Sequence, residues 1–237
     1  MTLQRLLSQT RKAIDEYSMI KSGDTIAVGI SGGKDSLTLL YALKELSRFY
    51  PAQFDVLGIS VDLGFENTDF DKIQEYCDML SVPYHIVHTQ IADIVFDKKK
   101  EENPCSLCAK LRKGALNQEA LKLGANKIAY AHHMDDVVET LMLSLLYEVR
   151  MQTFWPVTHL DKTGLTMIRP LLYVKEADVK GFVNKYQLPV AKSPCPVDGH
   201  TKRETVKELL RDINRRFPGA TGRIFHGIEN GALFPEQ

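Results

Sequence analysis

The chain has 237 residues, enough for one large domain or two small ones around a buried core. Hydrophobic residues make up 44% and charged residues 25%, the proportions of an ordinary globular protein, and no apolar run reaches the ~18 residues that a membrane helix needs. The balance of 30 basic against 30 acidic residues argues against a protein that coats nucleic acid indiscriminately, although a local basic face would suffice for selective binding.

Near the N-terminus, Asp15 and Glu16 interrupt an amphipathic stretch that lacks a continuous apolar segment. No secretory signal is expected there, and the expectation is a cytoplasmic protein with no membrane contact. Apolar runs then alternate with amphipathic segments, which predicts a parallel α/β sheet. Residues 3–17 read as a helix, Thr25–Ile30 as a buried strand, Ser36–Phe49 as a helix ended by Pro51, and Phe54–Val61 as a second strand. Asp69–Leu80 reads as a helix with Phe70, Ile73, Tyr76, Cys77 and Leu80 on its apolar face, and Tyr84–Val87 as a third strand. The charged stretch Ile91–Pro104 reads as irregular. A helix follows from Cys105 to Leu123, closed by Gly124, then a strand Lys127–Ala131 and a strongly apolar helix Asp135–Tyr147. A fifth strand is expected at Leu165–Ile168, with helices over Lys175–Tyr186, Thr201–Arg216 and Thr221–Asn230. The expected organisation is an N-terminal helix (1–20), an α/β domain on a parallel five-stranded sheet flanked by helices (21–190), and a helical C-terminal extension (191–237). Ligands of such sheets bind at the carboxyl ends of the strands, here the loops after Ile30, Val61, Val87 and Ala131.

The first of these loops is Ser31-Gly32-Gly33-Lys34-Asp35-Ser36. Two glycines without Cβ atoms let backbone N–H groups turn toward an anion, and the helix that follows adds its positive end. Ser31 and Ser36 can donate hydroxyl hydrogen bonds, Lys34 adds charge, and Asp35 suits a helix cap or a Mg²⁺ ligand. The Walker pattern and the Gly-x-Gly-x-x-Gly pattern are both absent. The six residues resemble the SGGxDS loop of the PP-loop ATP pyrophosphatase superfamily. That resemblance implies an adenine nucleotide alpha hydrolase-like fold, ATP with Mg²⁺, and cleavage between the α and β phosphates to adenylate a substrate.

Four cysteines are present. Cys105 and Cys108 form a Cys-x-x-Cys at a helix start, where thiolates are favoured, and Cys195 sits in a Pro-flanked turn. Three thiolates suit a [4Fe-4S] cluster with one iron open, or zinc with a fourth ligand such as His200, and a redox pair Cys105–Cys108 is a third reading. Cys77, on an apolar helix face, reads as core.

The segments CSLCAKLRKG, AHHMDD, IRPL and CPVDGHTKRETVKELLRDINRRFPG resemble the tRNA 2-thiocytidine synthetase family over nearly the whole chain. The resemblance implies a [4Fe-4S] cluster on Cys105, Cys108 and Cys195 whose open iron binds the sulfur delivered to tRNA. It implies adenylation of the cytidine C2 oxygen, a sulfur donor that is a cysteine desulfurase-derived persulfide or inorganic sulfide, and a homodimer. Asp136 falls on the family's active-site aspartate, and Ala131 stands where the family has glycine. Asp35, Asp136 and Arg112 are the expected catalytic residues. Ser31, Gly32, Gly33, Lys34, Asp35, Ser36, Asp62, His132 and Arg169 are expected to hold the nucleotide.

Some features carry two readings. Arg203, Lys207, Arg211 and Arg215 recur every four residues, which suits a solvated, ion-paired helix or a face for tRNA phosphates extended by Lys98–Lys100 and Lys110–Lys113. Phe154-Trp155-Pro156 suits a packed anchor or a reader of unstacked bases. The local motifs do not choose the base, so thiolation of uridine or of a non-tRNA acceptor stands as an alternative, as does a noncatalytic ATP-binding iron–sulfur sensor.

Overall fold

The computed structural model describes residues 1–65, 70–98, 104–191, 195 and 201–231. Six strands form one sheet: β1 (Asp24–Gly29), β2 (Phe54–Asp62), β3 (Tyr84–His88), β4 (Lys127–Ala129), β5 (Val157–Leu160) and β6 (Leu165–Ile168), in the order β3-β2-β1-β4-β6-β5. All neighbours run parallel except β5, which is antiparallel to β6. The helices are α1 (Leu3–Glu16), α2 (Lys34–Ser47), α3 (Asp71–Met79), α4 (Pro104–Lys122), α5 (Met134–Tyr147), α6 (Glu176–Tyr186), α7 (Lys202–Arg216) and α8 (Ala220–Asn230).

Two sequence expectations are corrected. The sheet has six strands rather than five, because β5 pairs with β6 across the turn at residues 161–164, where Gly164 adopts φ +71°. β5 is a partly buried edge strand with His159 exposed, so it lacks the apolar run that marks the inner strands. The stretch expected to be irregular also contains a π-helical segment, Asp93–Lys98, seated by the buried side chains Ile91, Ala92 and Val95.

Alternation along β1 divides the core. Ile26 and Val28 face a large cluster that includes Leu37, Leu40 and Leu43 of α2 and Val137 and Leu141 of α5, whereas Ala27 faces Leu116 and Ala120 of α4 on the opposite side. α7 and α8 join the larger cluster through Val206, Leu210, Phe225 and Ile228. Truncating a fully buried leucine such as Leu40 to alanine should therefore cost about 2–5 kcal/mol. Because β1 passes to β2 on one side and pairs with β4 on the other, the strand order reverses at β1. The crevice between the carboxyl ends of β1 and β4 is thus a topological switch point, where ligands of open α/β sheets bind.

Candidate active site

The glycine loop follows β1 and enters α2 at this crevice. Gly32 adopts φ +77°, and a Cβ there would lie 3.2 Å from both the Ala191 Cβ and the Ile73 Cδ1. The Gly32 carbonyl accepts a hydrogen bond from Ala191 N–H at 3.0 Å, so Ala191, four positions before Cys195, is tied to the loop. The Ser36 hydroxyl donates to the Gly33 carbonyl at 3.0 Å and accepts from Ser31 N–H at 3.2 Å, which holds the turn closed. Gly33 is the N-cap of α2 and offers no side-chain cap, so the first-turn N–H groups face the crevice without a competing internal acceptor. Lys34 Nζ lies 2.8 Å from Asp35 Oδ2 and 3.2 Å from Glu176 Oε1.

Across the crevice, His133 caps α5. Its backbone N–H donates to Asp136 Oδ2 at 2.9 Å, and its Nδ1 accepts from Asp136 N–H at 3.4 Å, a reciprocal capping box. Asp135 Oδ2 accepts from Glu176 N–H at 2.7 Å and so caps α6. The start of α5 therefore fixes a second helix and an aspartate whose other oxygen, Asp136 Oδ1, faces Arg203 at 3.2 Å.

His132 sits in an aromatic stack between Tyr130, with centroids 5.9 Å apart, and Phe154 at 4.7 Å. Arg169 Nε donates to His132 Nδ1 at 3.3 Å. Burial, reinforced by the Arg169 charge, drops the His132 imidazole to about 4, so it is neutral with its proton on Nε2. Arg169 itself is buried. It donates to the Trp155 carbonyl and the Thr158 hydroxyl, points Nη2 at the Met167 sulfur, and stacks over Phe154. Its donors thus anchor the segment between α5 and β6 and orient His132, and Phe154 is a packed anchor while Trp155 is half exposed. Asp62 is similarly engaged: Oδ1 accepts from Gly64 N–H at 2.9 Å, and Oδ2 lies 2.9 Å from His88 Nδ1.

Cys77, Cys105, Cys108 and Cys195 are not joined in disulfides. Cys77 is buried in the core, and burial pushes its thiol up to about 12. Burial also raises the Cys108 thiol. Arg112 opposes that shift, while Cys195 and Cys105 add to it, so Cys108 lies within electrostatic reach of both other thiols. Among the described residues, no group of three or more His, Cys, Asp or Glu side chains is drawn into a metal-ligating arrangement. The donor chemistry nevertheless suits an iron–sulfur cluster: three thiols, exposed to half-buried, with Cys108 under the charge of Arg112. His200, the alternative fourth zinc ligand, lies outside the described residues, as do Lys99 and Lys100. Arg112 is exposed on α4 and acts electrostatically on both Cys108 and Tyr130.

The two readings of the basic helix separate. Arg203 and Lys207 turn inward to carboxylates on α5 and α6, Arg211 pairs with Glu204, and Arg215 pairs with Asp212. The ion-paired reading therefore accounts for all four. The sequence reading missed Glu139 and Glu176, which belong to no motif, and gave His133 no role beyond its place in AHHMDD. The only local signal for His133 was its position three residues before Asp136.

The chain matches the PP-loop domain family over residues 3–212. It is 36% identical over 230 residues to the tRNA-cytidine(32) 2-sulfurtransferase of Pelobacter propionicus, covering 96% of this chain and 86% of that protein. It is equally similar over 233 residues to the enzyme of the same name from Shewanella oneidensis, covering 97% and 74%. Among solved structures, the U34-tRNA thiolase NcsA from Methanococcus maripaludis with its [4Fe-4S] cluster superposes with a TM-score of 0.80 at 25% identity, over 99% of this chain and 79% of that one. The NH3-dependent NAD synthetase from Campylobacter jejuni, at 14% identity and a TM-score of 0.53, shares the fold.

Proposed function

The chain belongs to the PP-loop domain family, and on that premise we propose that it is an ATP-dependent tRNA sulfurtransferase that replaces the C2 oxygen of a cytidine by sulfur. What supports this reading is the anion-binding glycine loop at the carboxyl ends of β1 and β4, hydrogen-bonded to Ala191, together with the charge coupling of Cys108 to Cys105 and Cys195. The relatives named tRNA-cytidine(32) 2-sulfurtransferase support the choice of cytidine and of tRNA.

Residues 31–36 and the N-terminus of α2 receive the ATP phosphates, with Lys34 exchanging a carboxylate partner for phosphate. Asp35 and Asp136 stand on opposite sides of the crevice, suited to hold Mg²⁺ with the pyrophosphate. In this reading the cytidine C2 oxygen attacks the α-phosphorus, pyrophosphate departs, and C2 is left carrying AMP as a good leaving group. A [4Fe-4S] cluster on Cys105, Cys108 and Cys195 would supply an open iron for the sulfur that displaces AMP. Arg112, next to Cys108, offsets negative charge on the thiolates and on the departing phosphate. His132, neutral and held by Arg169, presents an N–H to the base or nucleotide. The cytidine must leave its stack to reach these groups, which favours an unpaired loop of the tRNA. The sulfur comes from a persulfide carrier or inorganic sulfide, and the protein works as a homodimer in the cytoplasm.

Incubating anaerobically purified protein with tRNA, ATP, Mg²⁺ and sulfide, then identifying nucleosides by mass spectrometry, tests this. 2-Thiocytidine with one pyrophosphate per sulfur supports it. Appearance of 2-thiouridine instead, or thiolation without ATP, overturns it.

A further inference from the structure

Eight residues from the loop and helix starts of α2, α5, α6 and α7 close a ring of charged and polar side chains beside the glycine loop. Arg203 Nη1 lies 3.2 Å from Asp136 Oδ1 and 3.1 Å from Glu139 Oε2. Asp136 caps with His133, whose Nε2 faces Asp35 Oδ1. Asp35 pairs with Lys34, and Lys34 with Glu176. Lys207 closes the circuit, with Nζ 3.9 Å from both Glu176 Oε1 and Glu139 Oε1. The cations Lys34, Arg203 and Lys207 thus face the carboxylates Asp35, Asp136, Glu139 and Glu176. Glu139 is almost fully buried, and Glu176 is about four-fifths buried.

The consequence concerns what happens when Lys34 turns to a phosphate. Glu176 then loses its nearest cation, apart from the largely exposed Lys180 at 3.2 Å. A partly buried carboxylate without a partner is costly, and that cost would be charged against nucleotide binding. Lys207 approaches the same Glu176 Oε1 at 3.9 Å and remains in place. We propose that Arg203 and Lys207 of α7 are positioning residues of the nucleotide site: Arg203 orients Asp136 and, through the His133 cap, Asp35, while Lys207 compensates Glu176 so that Lys34 is free to engage phosphate. This rests on the reading of residues 31–36 as the ATP loop. In the sequence, α7 begins seven residues after Cys195.

The test uses the full chain with two readouts: equilibrium ATP binding, and hydrogen exchange of residues 31–36 and 133–136 without nucleotide. Lys207→Met should weaken ATP binding about fivefold and speed exchange at residues 31–36, and Lys207→Arg should restore both. Arg203→Gln should lower the rate of pyrophosphate release about tenfold with little change in the KM for ATP, and Arg203→Lys should recover part of it. Lys207→Gln replaces the methionine variant if that one does not fold. Folded variants with wild-type ATP affinity and wild-type exchange would overturn the proposal. If the wild-type chain binds no ATP, the reading of the loop falls, and the exchange comparison alone decides whether α7 positions these residues.

Discussion

His133 Nε2 stands 3.6 Å from Asp35 Oδ1, joining the start of α5 to the glycine loop across the crevice between β1 and β4. His133 Nδ1 accepts from Asp136 N–H, which leaves Nε2 as the atom that faces Asp35. That Asp35 oxygen is buried and has no hydrogen-bond partner among the described residues. One imidazole therefore caps a helix with one nitrogen and orients a phosphate-site carboxylate with the other. His133→Asn should keep the cap, since asparagine is a good N-cap residue, and hold stability within about 1 kcal/mol of wild type while pyrophosphate release falls. His133→Ala should lose both, with a further loss of about 1 kcal/mol in urea unfolding. Equal activity of the asparagine variant and wild type would show that the Asp35 contact is idle.

Gly32→Ala tests the shape of the loop. The left-handed φ and the 3.2 Å approach of Ala191 and Ile73 leave no unstrained place for a methyl group. A strain of about 1–3 kcal/mol, concentrated in the loop, should weaken ATP binding tenfold or more with a smaller effect on overall stability. A titration with ATP beside a thermal melt separates the two, and unchanged affinity would mean the loop does not cradle phosphate.

The cysteines should divide three against one. Replacing Cys105, Cys108 or Cys195 by serine should abolish iron retention and thiolation, whereas Cys77→Ala should keep both. Cys77 sits within the core, so its replacement should instead cost about 1–2 kcal/mol of stability. Iron analysis of anaerobically purified variants decides the matter, and zinc without iron in the wild type would favour the alternative metal.

Glu139 gives a pH signature of definite sign. Burial is the largest influence and carries its carboxyl from the usual 4.5 to about 7 despite Lys207 and Arg203. The folded protein therefore binds a proton more tightly than the unfolded chain. The contribution is complete below about pH 4.5 and is lost as pH rises through 7. Between those limits wild type should lose stability relative to Glu139→Gln by on the order of 2 kcal/mol. Urea unfolding of the pair across this range measures it, and parallel pH profiles for the two proteins would contradict the assignment.

Much of this protein is legible in its sequence. The four inner strands are predominantly apolar, and the loop at residues 31–36 and the pair Cys105–Cys108 are contiguous motifs at element boundaries, so local pattern alone locates them. The family that these motifs resemble agrees with the PP-loop domain match over residues 3–212 and with the relatives named for cytidine. What the sequence by itself could not determine is which partner each charged residue takes. Arg203 reaches Asp136 across 67 positions, and Arg169 reaches His132 across 37. Basic residues spaced four apart look alike on paper whether they face solvent, RNA or a buried glutamate. The packing of Val206 and Leu210 into the core set that choice by turning Arg203 and Lys207 toward α5 and α6. The edge strand β5 was hidden for a related reason: its strand character comes from hydrogen bonds to β6 rather than from its own hydrophobicity. Local periodicity and motif sufficed for the sheet and the loop, and tertiary contact alone assembled the charged ring around them.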